Sequence, residues 1–379
     1  MENLPKYKLL ADLLRQEISS GKYKYLDRLL TENELAQKYN MSRQTVRQAI
    51  GLLEKEGIIT RRRGSGTYIS KPGKTRQKTM TVGVISTYIT EYIFPSIVRG
   101  IEGVLTENGY SLLLSATRNR VDSERKLLLD CIQKNVDGLI VEGTKTTLPN
   151  PNISLYREIR DMGVPIVFIN GFYPEMTDSV YVVMDDFGGG LEAVRRLISQ
   201  GYSNIAGIFK SDDMQGHKRY AGFTRGLIEA GISLADDSVV WYGTETMDMI
   251  FEEGENSPLS KAVKNAEGVV CYNDLIAVRL IDFIQKTGRR VPEDVKIVSF
   301  DNSHYSELGI VKIISLNHPK EELGKLAAQK LLNMINGRNE RPSVLPWGID
   351  EYVLFCALLT DVNRNGMIIL PVFDFGFIF

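Results

Sequence analysis

The chain has 379 residues and a formal net charge of −1, a balance that hides a split: residues 1–78 hold 17 Lys and Arg against 8 Asp and Glu, and the other 301 residues hold 29 against 39. A small basic unit on a large acidic one suggests one module that meets an anionic polymer and another with different work. The three cysteines, Cys131, Cys271 and Cys356, are odd in number and scattered, which excludes a disulfide framework and fits small core residues in a reducing compartment.

In the head, Leu9, Leu10, Leu13, Leu14 and Ile18 recur at helical spacing and Gly21 follows as a stop. Thr31-Glu32-Asn33-Glu34 fits a capping box and opens a second helix whose apolar side is Leu35, Ala36 and Tyr39. After the turn at Asn40-Met41, Ser42 can cap a third helix from Arg43 to about Lys55, with Val46, Ala49, Ile50 and Leu53 inward. Arg43, Gln44, Thr45 and Arg47 then point away from that stripe in its first turns, where a recognition helix touches base edges. Ile58–Thr60 and Thr67–Ile69 read as two strands around Arg61-Arg62-Arg63 and a Gly64-Ser65-Gly66 turn, a hairpin able to lie along a phosphate backbone. This order argues against a merely solvated basic tail.

These residues resemble the GntR type of winged helix-turn-helix over about residues 4–70, with Leu30 standing where that family commonly has proline. The resemblance implies that Ser42, Arg43, Gln44, Thr45 and Arg47 face the major groove of double-stranded operator DNA, and that Arg63, Gly64 and Gly66 act at the wing tip. Glu32 has two readings, an acceptor for a cytosine amine or a residue that favours a helix start.

Residues 71–79 form the expected linker, within the polar, basic stretch SKPGKTRQKT. From Met80 the pattern changes to short apolar runs, such as Val82–Ile85, Gly138–Val141, Ile205–Phe209 and Val269–Tyr272, alternating with helical segments such as Ile97–Thr106, Leu191–Ser199, Tyr220–Ala230 and Glu321–Ile335. Continuous apolar strands each followed by a helix predict buried parallel sheets of βαβ units, α/β in class. About 270 residues suit two doubly wound lobes with a polar-ligand cleft between them. No catalytic signature stands out: His217, His304 and His318 make no metal-ligand pair, and neither a Gly-x-Ser-x-Gly elbow nor a P-loop occurs. Neither an enzyme, a metal nor a cofactor is therefore expected.

A polar residue instead closes strand after strand: Glu142 with Thr144 and Lys145 behind it, Asn170, Asp185, Lys210, Asn273-Asp274 and Asp301. Tyr92, Phe94 and Phe172 offer faces for the C–H side of a sugar ring, and the set suits a polyhydroxylated ligand. The body resembles the effector domain of LacI/GalR repressors over about residues 80–337, through stretches such as Val136–Glu142, Lys218–Phe223, Tyr272–Ala277 and Val291–Val295. That implies ligand-holding roles for Arg219, Asn273 and Asp301.

The fusion of the two units resembles the arabinose-responsive repressors of Gram-positive bacteria, a likeness that extends to Val141–Lys145, Gly207–Asp213 and Ser303-His304. It implies a cytoplasmic homodimeric repressor of pentose-use genes released by L-arabinose, with His304 also near the ligand. Another pentose, a purine or a sugar phosphate is the alternative effector, and the opening MENLPKYK is not a secretory signal, against a periplasmic binding protein. The boundaries expected are a head at 1–70, an effector domain at 80–346 and an atypical tail at 347–379. The tail departs from the family's usual end, its apolar stretch is too short to span a bilayer, and a shifted reading frame accounts for it most simply. Deletion from residue 347 is then expected to leave sugar binding no worse.

Overall fold

The computed structural model describes residues 5–23, 27–62, 66–69, 78–89, 93–252, 254, 257–303 and 313–348. The head consists of α1 (Lys6–Ser19), α2 (Glu32–Lys38), α3 (Arg43–Lys55) and the antiparallel hairpin β1 (Ile59–Arg62) and β2 (Gly66–Ile69). The capping box forms: Glu34 N donates to Thr31 Oγ1 at 3.3 Å and Thr31 N to Glu34 Oε2 at 2.7 Å. Ser42 Oγ accepts from Thr45 N at 3.2 Å and starts α3. Leu10, Leu14, Leu35, Val46, Ile50 and Leu53 bury together as the head's core, and Arg15 of α1 pairs with Glu56 at 2.9 Å, just after α3.

The body holds two parallel sheets. The first runs β13-β7-β6-β5-β3-β4, from β3 (Thr81–Ser86), β4 (Ser111–Ala116), β5 (Gly138–Val141), β6 (Ile166–Ile169), β7 (Val180–Met184) and β13 (Ser343–Leu345). The second runs β12-β11-β10-β8-β9, from β8 (Ile205–Lys210), β9 (Val239–Tyr242), β10 (Gly268–Cys271), β11 (Lys296–Asp301) and β12 (Ile314–Asn317). Helices cover both faces: α4 (Phe94–Glu107), α5 (Val121–Gln133), α6 (Ile153–Asp161) and α11 (Lys320–Ile335) in the first lobe, α7 (Asp186–Ser199), α8 (Met214–Glu229), α9 (Pro258–Val263) and α10 (Asp274–Lys286) in the second. In β5, Ile140 faces α4 and α11 while Leu139 and Val141 face α5 and α6. That double burial is why the strands read as unbroken apolar runs.

Among the described residues the chain crosses between the lobes three times, at Asp185-Asp186, at His318-Pro319 and after β13, where Gly348 exchanges backbone hydrogen bonds with Asn317 at 2.9 and 2.8 Å. These contacts fall on the first two residues of the expected tail. Trp347 and Gly348 belong to the third crossing, with Trp347 Nε1 donating to Asp185 O at 3.1 Å, so a cut before residue 347 removes part of the hinge. The rest of that tail, residues 349–379, lies outside the described residues.

Both sheets reverse their winding at equivalent places, between β3 and β5 in one lobe and between β8 and β10 in the other. A crevice opens at such a switch point, beyond the carboxyl ends of the strands. The two crevices face each other here, and the ligand-sized cavity lies between them.

Candidate functional site

The cavity measures about 260 Å³ and is lined from both lobes. The first lobe contributes Thr87 after β3, Glu142 and Gly143 after β5, Asn170 after β6, and Ile93 and Phe94 at the start of α4. The second contributes Lys210 at the end of β8, Asp213 and Arg219 of the β8–α8 unit, Tyr272 and Asn273 after β10, and Asp301 at the end of β11. Thr87, Glu142, Asn170, Lys210, Tyr272 and Asp301 are there because a parallel strand ends and its chain must turn, while Phe94 and Arg219 reach the crevice from helices α4 and α8.

Glu142 is buried, and its carboxylate collects donors from two strands. Oε2 accepts from Thr87 N at 2.7 Å, Thr87 Oγ1 and Ser86 Oγ at 3.1 Å, and Oε1 accepts from Asn170 Nδ2 at 2.9 Å. Burial raises the Glu142 pKa, against the pull of those hydrogen bonds. Asn170 spends its amide on Glu142, while its Oδ1 is buried without a hydrogen-bond partner among the described residues. A buried acceptor on a cavity wall is what a ligand hydroxyl satisfies.

Opposite, the two cations are held by carboxylates. Lys210 Nζ lies 3.1 Å from Asp213 Oδ2 and 3.5 Å from Asp212 Oδ1; burial opposes its charge, but the two aspartates outweigh that and raise its pKa. Tyr272 OH donates to the same Asp213 Oδ2 at 2.6 Å. Arg219, buried on α8, donates Nε to Asp186 Oδ1 at 2.9 Å and Nη1 to Tyr272 O, and its Nη2 is 3.8 Å from Asp301 Oδ1. Burial pushes the Asp186 carboxyl up to about 7, against the pull of Arg219. Asn273 combines two tasks, capping α10 by accepting from Ile276 N at 3.1 Å while lining the cavity. Behind it Asp274 accepts from Ser303 N at 2.7 Å and from the hydroxyls of Ser299, Ser303 and Ser315, tying β11 and β12 to α10.

Phe94, Glu142, Asn170, Arg219, Asn273 and Asp301 are thus brought to one cavity. Three described sequence candidates, Asp185, Lys145 and Phe172, do not line it. Asp185 is exposed and caps α7, accepting from Gly188 N at 2.9 Å; the next residue, Asp186, turns inward to Arg219. Lys145 leaves the cavity wall and pairs with Glu245 of the other lobe, in a set of bonds across the cleft mouth that includes Asn119 to Thr244 and Thr147 Oγ1 to Ser211 O at 2.8 Å. Phe172 stacks on Tyr181 with ring centres 4.1 Å apart instead of facing the cavity. Tyr92 and His304 lie outside the described residues. Thr87, Asp186 and Asp213 escaped the sequence reading, although Thr87 and Asp213 follow strands as the chosen residues do.

On the head, Ser42, Arg43, Gln44 and Arg47 are exposed and Thr45 half-buried at the N-terminal end of α3. Glu32 is engaged by Arg47, whose Nη2 lies 3.0 Å from Glu32 Oε2, while Arg61 of the hairpin stands 3.9 Å from Oε1. Without DNA the carboxylate thus pairs with arginines of α3 and β1, and accepting from a base amine would mean exchanging one of these exposed pairs. Gly66 has φ +123° and a side chain there would strike Arg28, so glycine is required at this end of the hairpin. Arg63 and Gly64 lie outside the described residues.

The head matches the family described as bacterial regulatory proteins, gntR family, over residues 6–69, and the body matches the periplasmic binding protein-like domain over residues 194–346. An arabinose metabolism transcriptional repressor of Geobacillus stearothermophilus is 39% identical over 89% of this chain and 93% of its own length. Another of that name, from Halalkalibacterium halodurans, is 36% identical over 87% of this chain and 89% of its own. Among solved structures, the transcription regulator CcpA of Lactococcus lactis superposes with a TM-score of 0.63 at 26% identity, covering 72% of this chain and 97% of its own.

Proposed function

This chain belongs to the family of the arabinose metabolism transcriptional repressors, and from that premise we propose that L-arabinose is the effector that releases it from operator DNA. Membership makes it a DNA-binding regulator of transcription rather than an enzyme. The observation that carries the ligand class is the charge state of the cavity. Both cations among the described lining residues are already paired, Lys210 with Asp212 and Asp213, and Arg219 with Asp186. A phosphate would have to compete with those carboxylates for its counter-charges, whereas a neutral polyol uses the wall as it stands: acceptors at Glu142 and Asn170, donors at Lys210, Arg219 and Asn273. At about 260 Å³ the space suits a single small sugar.

The mechanism we propose is a population shift. Sugar bridges the two lobes and favours the closed arrangement, and in a homodimer that closure moves the two heads off a palindromic pair of half-sites. A regulator of this kind works where the chromosome is, which supports a cytoplasmic location. No helix of the described residues is long and apolar enough to cross a membrane.

Calorimetric titration of the full chain with L-arabinose, D-ribose, D-glucose and ribose 5-phosphate tests the effector. Binding of L-arabinose with at least tenfold preference, about 1.4 kcal/mol, is the expected result. Preference for the phosphorylated sugar would overturn the ligand assignment and leave the DNA reader untouched.

A further inference from the structure

Arg219 is about 1% exposed, and its guanidinium carbon lies 4.5 Å from the ring centre of Phe300, 4.8 Å from Tyr272 and 4.9 Å from Trp347. Phe300 lies in β11 and Tyr272 just after β10, both in the lobe of Arg219 itself. Trp347 is not: it follows β13 of the other sheet and reaches Arg219 from the third crossing.

The indole is fixed from several sides. Its Nε1 donates to Asp185 O at the first crossing, and its ring meets His318 of the second crossing edge-on at 5.6 Å and Phe300 edge-on at 5.1 Å. Helix α7 makes room for it, since a side chain at Gly189 would come within 2.6 Å of the indole. Gly348, next in sequence, pairs with Asn317. One ring is therefore tied to all three crossings and also forms one wall around the cavity's arginine.

We propose that Trp347 is a positioning residue for effector binding, holding the Arg219 guanidinium in the plane that aims Nη2 into the cavity. Nε is tethered to Asp186 and Nη1 to Tyr272 O, while Nη2 stands 3.8 Å from Asp301 Oδ1, an ion pair longer than a hydrogen bond. Rotation of the plane about those tethers is what remains to be fixed, and aromatic faces against a desolvated cation fix it. A binding group must be locked by its supporting residues to within a fraction of an ångström to contribute fully. The position lies just beyond residue 346, where the family match of the body ends. The inference rests on the effector reading above, and its test separates the two.

The variants are W347F, which keeps an aromatic face, and W347L with W347M, which keep apolar volume without one. All are made in the full chain and studied well below their unfolding temperatures. In the absence of sugar, the Arg219 Nε–Hε proton resonance, assigned with R219K, should stay sharp and exchange-protected in the wild type and W347F and broaden or shift in W347L and W347M. L-arabinose affinity should fall about tenfold in the latter two and within about threefold in W347F. In a W241F background, which leaves Trp347 as the sole tryptophan, indole emission should change on addition of sugar. If W347L and W347M lower only the unfolding temperature, with resonance and affinity as in W347F, the indole is plain packing and the proposal falls. If the wild type binds no L-arabinose, the effector reading fails, and the sugar-free Arg219 resonance still decides the role of Trp347.

Discussion

Arg219 and Asp186 form a buried pair beside the hinge, and such pairs are costly to break from one side. R219M leaves a desolvated carboxylate and should destabilise the body by about 3–5 kcal/mol, read as a shift of its urea unfolding midpoint. Adding D186N should recover a large part of that loss; equal loss in single and double variants would contradict the pairing. His318, buried at the second crossing, has its pKa pulled down to about 3 by burial, helped by Lys320 and Arg219. Above the ordinary value of about 6.5 it is neutral in both states. As pH falls from there toward 3, the unfolded chain takes up a proton that the folded one refuses, so stability is lost across that window. H318L removes that loss and should gain about 2 kcal/mol on the wild type between pH 7 and pH 5, measured as the change in their difference in unfolding free energy. At this scale Glu142, Asn170, Asn273 and Asp301 were legible because each closes an apolar run. The choice of Asp185 over Asp186 failed by one position, since only the helix start decides which of the two caps and which turns inward. The Lys145–Glu245 pair joins residues 100 apart across two lobes, which no local pattern announces.

Side-chain caps made α2 and α3 readable at the level of elements, through Thr31, Glu34 and Ser42. Strands buried on both faces were readable as apolar runs. β12 and β13 do not stand out as apolar runs because they are short edge strands with mostly partly buried or exposed side chains, and α6 and α9 are faint because nine and six residues carry little periodicity. The contact of α4 with α11 depends on glycine. A Cβ at Gly100 would stand 2.1 Å from Glu321 O, and one at Gly324 would stand 2.2 Å from Ile97 O, whereas Gly103 on the same helix faces open space. G100A must therefore push the helices apart and should cost about 1–3 kcal/mol. G103A should be neutral or stabilise by up to about 1 kcal/mol through lower helix entropy loss. Thermal unfolding of the two variants side by side checks this, and similar midpoints would contradict the close approach.

The whole molecule joins a basic reader to an acidic two-lobed body, a division visible in the charge count before any element is assigned. What the sequence left open is how the lobes meet. That depends on three crossings, on the bonds across the cleft mouth and on Trp347, a residue first assigned to an atypical tail. The central claim is that occupancy of the cavity controls DNA binding. The direct measurement is titration of the full chain against a palindromic promoter fragment at fixed salt, with and without saturating L-arabinose. Weakening of operator affinity by L-arabinose and not by glucose or ribose is the predicted result. Tight operator binding that ignores L-arabinose would contradict the account.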